Sequence, residues 1–137
     1  MSSATSTSTA AVVESFFTRF AAGDVPGLID LFADELDFVV EGSPRIPWSG
    51  RRSSPAELEA FFASFGQVLG PAKEYNVTAT VIDGDNAVVI GHNSFEVLAT
   101  GKVFDNHFAL HMVVEDGKIT TYRMYEDSYA INAAFAD

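Results

Sequence analysis

The 137-residue chain contains no cysteine. That excludes disulfides and thiolate metal sites, and it fits a reducing cytoplasmic setting. Basic residues are scarce, with 8 Lys and Arg against 19 Asp and Glu and a net charge of −11. Such a surface repels nucleic acid and anionic membranes, so neither is expected as a partner. No apolar run approaches the roughly 18 residues of a membrane span. Residues Ser2 to Thr9 are rich in Ser and Thr but lack a basic region and an apolar stretch, so residues 1–9 are read as a disordered tail, not a signal peptide. Hydrophobic residues make up 47% of the chain, enough for a globular core. One domain over residues 10–137 is expected, and a chain of this size buries roughly 68–70% of its unfolded surface without staples.

Helical patterning comes first along the chain. Thr9 is placed as the cap of a helix with Val12, Val13, Phe16, Phe17 and Phe20 on one stripe. Ala22-Gly23-Asp24 ends it, and Asp24 opens a second helix with Pro26 in its first turn. Leu36 to Glu41 alternates as a strand, and Gly42 to Gly50 is a loop or irregular hairpin. Ser54-Pro55-Ala56-Glu57 is a capping box ahead of a Phe-rich helix that Gly70-Pro71 stops. Four strands follow, at about Glu74–Asp83, Ala87–Leu98, Lys102–Val114 and Ile119–Glu126, with a last helix after Asp127. Helices followed by a run of antiparallel strands indicate an α+β domain with its helices on one sheet face.

Strand Lys102–Val114 alternates cleanly. Phe104, Asn106, Phe108, Leu110 and Met112 share one face, and Asn106 is polar among apolar neighbours. A buried amide is costly unless paired, so it marks a structural bond or a site. A tight turn at Ala99-Thr100 sets Asn93 opposite Asn106 and His92 opposite His107. The next turn has two readings. Asp116-Gly117 as a two-residue turn puts Arg123, Tyr125 and Asp127 inside. Glu115-Asp116-Gly117 as a three-residue loop with Gly117 in a bulge puts Tyr122, Met124 and Glu126 inside. The second suits an apolar interior and is preferred. It produces a row Asn93–Asn106–Glu126, in which a desolvated carboxylate moves protons and two amides hold a developing oxyanion. Asp127 is a further catalytic candidate, although it also suits the cap of the last helix. The expected apolar lining is Phe16, Phe20, Trp48, Phe95, Phe108, Leu110 and Met124.

No metal or cofactor is expected. His107 and His111 are about 13 Å apart along a strand, and His92 with His107 lacks an evident third ligand. Arg45, Arg51 and Arg52 are candidates for steering an anion, with a solvated loop as the plainer reading.

Several motifs together resemble the SnoaL-like, ketosteroid isomerase-like branch of the nuclear transport factor 2 superfamily. These are Phe17-Thr18-Arg19-Phe20-Ala21-Ala22-Gly23-Asp24, Leu31-Phe32-Ala33-Asp34, Trp48-Ser49-Gly50-Arg51-Arg52 before the Phe-rich helix, and Asp116-Gly117-Lys118-Ile119 followed by Tyr125-Glu126-Asp127. The resemblance implies a cystatin-like cone, a curved antiparallel sheet packed on three N-terminal helices around an apolar pocket, and a homodimer through the outer sheet face. That face would carry His92, His107, Ala109 and Val113. The positions of the ketosteroid isomerase tyrosine and two aspartates fall on Phe16, near Val40, and near Ala109 or Leu110. Those of limonene epoxide hydrolase fall on Gly91, Asn93 and Met124. Neither mechanism carries over. Two classes of function follow: a cofactor-free acid–base enzyme of isomerase, cyclase or hydrolase type acting on a hydrophobic oxygenated small molecule, or a ligand-binding or dimerisation module without turnover.

Overall fold

The computed structural model describes residues 8–42, 46 and 48–135. Most of the expected N-terminal tail, with Arg45, lies outside them. Helix α1 (Thr9–Ala22) is capped one residue earlier than expected, by Ser8, whose Oγ accepts from Ala11 N at 3.1 Å. The Thr9 hydroxyl is engaged elsewhere and donates to the Gly84 carbonyl at 2.8 Å. Gly23, at φ 70°, closes α1 in the left-handed conformation that glycine adopts without a Cβ penalty. Asp24 then caps the short α2 (Val25–Ile29) through Gly27 N.

Strand β1 (Phe32–Val40) starts earlier than the alternation suggested, directly after Leu31. It pairs antiparallel with β2 (Gly50–Arg52). Ser54 caps α3 (Pro55–Val68), and the Glu57 carboxylate reaches back to Ser53 N and Ser54 Oγ. Leu58, Phe61 and Phe62 of α3 are buried. The helix ends where Leu69 turns extended and bridges to Val97.

Strands β3 (Glu74–Asp83), β4 (Asn86–Glu96), β5 (Val103–Glu115) and β6 (Lys118–Tyr125) form a meander, and α4 (Ser128–Phe135) follows. The six-stranded, curved and unclosed sheet has the order β2-β1-β6-β5-β4-β3. It is mixed, which corrects the expected all-antiparallel sheet: β1 runs parallel to β6. No tight turn joins these two strands. All of β2 to β5 lies between them in the chain, which is the long connection a parallel pair requires.

The β4–β5 ladder has the expected register, with Asn93 opposite Asn106 and His92 opposite His107. On β5 the residues Phe104, Asn106, Phe108, Leu110, Met112 and Val114 are all buried. At Gly91 a Cβ would come within 2.7 Å of the Phe108 ring and 2.6 Å of the Asn76 carbonyl, so glycine permits that approach.

The β5–β6 turn differs from the preferred expectation. Glu115 pairs with Lys118 around a two-residue turn, with Asp116 at φ 51° and Gly117 at φ 76°. An Asp-Gly pair favours this turn because both central residues need positive φ. The inward set is nevertheless Tyr122 and Met124, because a bulge at Thr120 resets the alternation. Tyr122 stacks on Phe38 at 4.2 Å between ring centroids, and Phe16 packs against both Tyr122 and Phe62. A second bulge, at Thr78, resets the β3–β4 ladder in the same way. Both threonine hydroxyls bond to carbonyls of the neighbouring strand, Ile90 O for Thr78 and Val113 O for Thr120.

Candidate functional site

The site lies where α1, α3 and the loop bearing Trp48 meet the inner sheet face. An inner cavity of about 70 Å³ is lined from the helices by Phe16, Phe20, Phe65 and Leu69. Trp48 and the sheet residues Tyr75, Asn93, Phe95, Phe104, Tyr122, Met124 and Glu126 complete it. An open cleft of about 810 Å³ adjoins it and shares Phe20, Phe65, Leu69, Tyr75 and Phe95.

Glu126 follows the last residue of β6 and is half-buried. Its Oε1 accepts from Trp48 Nε1 at 2.9 Å and its Oε2 from Asn106 Nδ2 at 3.2 Å. Asn106 is 1% exposed, and its Oδ1 accepts from Asp127 N at 2.8 Å. Burial pushes the Glu126 carboxyl up to about 7, against the opposing pull of the Trp48 and Asn106 bonds. Burial also raises the Tyr75 and Tyr122 phenols, so both remain protonated donors at neutral pH. Tyr75 stands opposite Asn93 on the β3–β4 ladder, and the Asn93 side chain pulls the phenol down against that rise. The Asn93 Oδ1, by contrast, is buried without a partner.

Seven of the side chains proposed from sequence border the inner cavity: Phe16, Phe20, Trp48, Phe95, Met124, Asn93 and Glu126. Phe108 and Leu110 do not. They belong to the packed core, and Phe104 is the β5 residue that reaches the cavity. Asn106 sits behind Glu126 with both ends of its amide engaged, so it orients the carboxylate instead of facing a ligand. The Asp127 carboxylate accepts from Ala130 N at 3.1 Å and caps α4, and Asp127 lines neither cavity. Sequence reasoning missed Tyr75, Tyr122, Phe65, Leu69 and Phe104 as lining residues. Tyr75 was hidden by the Thr78 bulge: unbroken pairing from the turn would set it out of phase with Asn93, whereas the bulge sets the two opposite each other.

The remaining candidates are engaged elsewhere. Arg51 and Arg123 both pair with Asp37, and the Arg52 guanidinium holds the Trp48 carbonyl while lying 4.5 Å from the Phe61 ring centroid. His92 bonds Glu74 and Asp105 and lies 4.6 Å, ring to ring, from His107. Among the described residues no group of three or more His, Asp or Glu side chains is placed to hold a metal ion.

The family model for the SnoaL-like domain matches residues 13–122. The chain belongs to the SnoaL-like family. Solved structures with the same fold include an NTF2-like protein from Burkholderia xenovorans LB400, 23% identical over 93% of this chain and 95% of that one, with a TM-score of 0.82. An NTF2-like protein from Burkholderia thailandensis E264 is 19% identical over 96% and 99% of the two chains, at a TM-score of 0.86. TerC, co-crystallised with polyporic acid, is 20% identical over 93% and 97%, at 0.81. No curated protein matches the sequence. Among the described residues, no helix of this SnoaL-like protein is long and apolar enough to cross a membrane.

Proposed function

We propose that this SnoaL-like protein binds a small hydrophobic, oxygenated molecule and moves a proton on it without a cofactor, Glu126 carrying the proton. The observation that supports this is a carboxyl with a pKa of about 7 on the wall of an aromatic cavity. A group that titrates near the working pH both takes and returns protons efficiently. The carboxylate is aimed by Trp48 and Asn106, and the neutral phenols of Tyr75 and Tyr122 supply donors for an oxygen on which negative charge develops. The neighbour crystallised with polyporic acid is in keeping with a ligand of this kind.

A generic base reporter tests the reading. The protein should open the ring of 5-nitrobenzisoxazole by removing its carbon-bound proton, with a rate that rises through about pH 7. Glu126→Gln should lower that rate by at least about 100-fold while ligand affinity stays within about tenfold. An unchanged rate in the variant would remove Glu126 from the chemistry. The second reading, a binding module without turnover, draws on the apolar residues Phe16, Val40, Ala109 and Leu110 at the positions where ketosteroid isomerase has its acids. The same assay separates the two.

We also propose a homodimer through the outer sheet face, where Val81 and Ile90 are 56% and 43% exposed. Sedimentation showing a monomer at micromolar concentration would refute it. The cysteine-free composition supports a cytoplasmic location.

A further inference from the structure

The inner cavity presents an unbalanced set of hydrogen-bonding groups. Among the described residues, Asn93 Oδ1 is the one buried side-chain acceptor at the cavity that lacks a partner, and Asn93 is 6% exposed. Such an atom asks for a donor from whatever occupies the cavity. Among the described residues no Lys, Arg or His lines the cavity or the adjoining cleft, and Glu126 adds negative charge, so a carboxylate or phosphate would find no counter-charge.

Size divides the ligand in two. The inner space of about 70 Å³ is more than tenfold smaller than the cleft, so it takes the narrow end of a ligand. The cleft of about 810 Å³ falls in the range of sites that hold whole small molecules. The two spaces meet at Phe20, Phe65, Leu69, Tyr75 and Phe95, and Tyr75 stands opposite the same Asn93 across the β3–β4 ladder.

We infer that the site selects an elongated neutral molecule with a hydroxyl head, the hydroxyl donating to Asn93 Oδ1 in the inner cavity and the apolar body lying in the outer cleft beyond Tyr75. This rests on the inner cavity being the ligand site proposed above. Asn93 and Tyr75 are then specificity residues, distinct from the Glu126 that moves the proton.

The single tryptophan, Trp48, lines the inner cavity, so its fluorescence reports on occupancy. Calorimetry and Trp48 fluorescence would be followed during titration with 4-hexylphenol, its methyl ether, 4-ethylphenol, 4-hexylbenzoate and 4-hexyl-N,N,N-trimethylanilinium. The hexylphenol should bind at least about tenfold more tightly than each of the others. Asn93→Ala should erase the preference over the ether, and Asn93→Ser, which restores an acceptor, should recover part of it. Ala72→Trp, at an exposed position on the cleft, should weaken hexylphenol and leave ethylphenol unchanged. Equal binding of phenol and ether, or tighter binding of the benzoate or the ammonium, would overturn the hydroxyl head. Equal binding of hexyl and ethyl phenols would overturn the outer body site, with the ligand reading of the inner cavity intact. No heat and no Trp48 change with any probe would overturn that reading as well.

Discussion

Asn93 and Asn106 face each other across the β4–β5 ladder, both buried, with the same side chain. Their surroundings differ. Asn106 donates to Glu126 and accepts from Asp127 N, and through these two bonds it ties the strand end to the start of α4. Asn93 stands opposite Tyr75 and leaves its side-chain oxygen without a partner. One half of the polar row is therefore closed and holds the Glu126 carboxyl in place. The other half is open and adjoins the route in from the cleft. The difference teaches that residue type and burial do not assign a role within such a row. The balance of donors and acceptors does, because an engaged amide has nothing left to offer a ligand.

The largest test of this contrast is stability. Asn106→Ala strands the Asp127 N–H and removes a donor from the half-buried Glu126 carboxylate, at a cost of about 4 kcal/mol. Asn93→Ala strands no backbone group and removes an oxygen that already lacks a partner, so with the loss of its contact to Tyr75 it should cost only about 1–2 kcal/mol. Urea unfolding of both variants gives the comparison. Equal losses would break it.

Next comes the pH dependence of the closed half. The Glu126 carboxyl titrates at about 7 in the fold against 4.5 as its ordinary value, so between these pH values the folded chain holds a proton that the unfolded chain has released. Its contribution to stability is thus fully present below about pH 4.5 and is lost as pH rises through about 7. At about 1.36 kcal/mol per unit the window is worth roughly 3 kcal/mol. Asp37 adds the opposite slope, since Arg123 holds its carboxyl below the ordinary 3.8, but that window lies at lower pH. Subtracting the pH–stability curve of Glu126→Gln isolates the contribution of Glu126. Relative to the variant, the wild-type protein should lose stability from pH 4 to pH 8 and change little above that. A difference that stays flat would place the carboxyl in water, not in the cavity.

How much of this was legible depended on unbroken alternation. The inward face of β5, the opposition of Asn93 and Asn106, and the caps at Asp24 and Ser54 follow from local pattern, and the structure has them. The mixed sheet was not legible, because the β1–β6 pairing joins segments about eighty residues apart without a turn to announce it. The two bulges were not legible either. Each inserts one threonine that flips every side chain beyond it, counted from the turn, to the other face: Thr120 brings Tyr122 and Met124 inside, and Thr78 turns Tyr75 toward Asn93. The inward set on β6 was anticipated through the wrong device, a Gly117 bulge. Tyr75 was missed because nothing in its own strand signals the reset. The side chains of Phe108 and Leu110 were correctly read as inward, yet an inward residue borders a cavity only where the helices stand off from the sheet, and at these two they do not.

The smallest effect sharpens the contrast most finely. Glu126 has two side-chain donors, Asn106 Nδ2 from beneath and Trp48 Nε1 from the loop. Trp48 is 2% exposed and packs its ring against Phe65 at 5.3 Å and Phe135 at 5.6 Å. Trp48→Phe keeps most of that packing and removes the N–H, so only the bond to the carboxylate is tested. Hydrogen bonds to a charged acceptor favour the charged form, and of the two donors Trp48 exerts the larger downward pull on Glu126. Without it the midpoint should rise above 7 by about one unit, which corresponds to about 1.4 kcal/mol. NMR of a labelled Glu126 side-chain carboxyl reads the midpoint directly, and the rising limb of the benzisoxazole rate should move with it. Asn93→Ala, on the open half, should leave the midpoint where it is. If Trp48→Phe left the midpoint unmoved while Asn93→Ala shifted it, the assignment of closed and open halves would be reversed, with Asn93 holding the carboxyl and Trp48 free to meet the ligand.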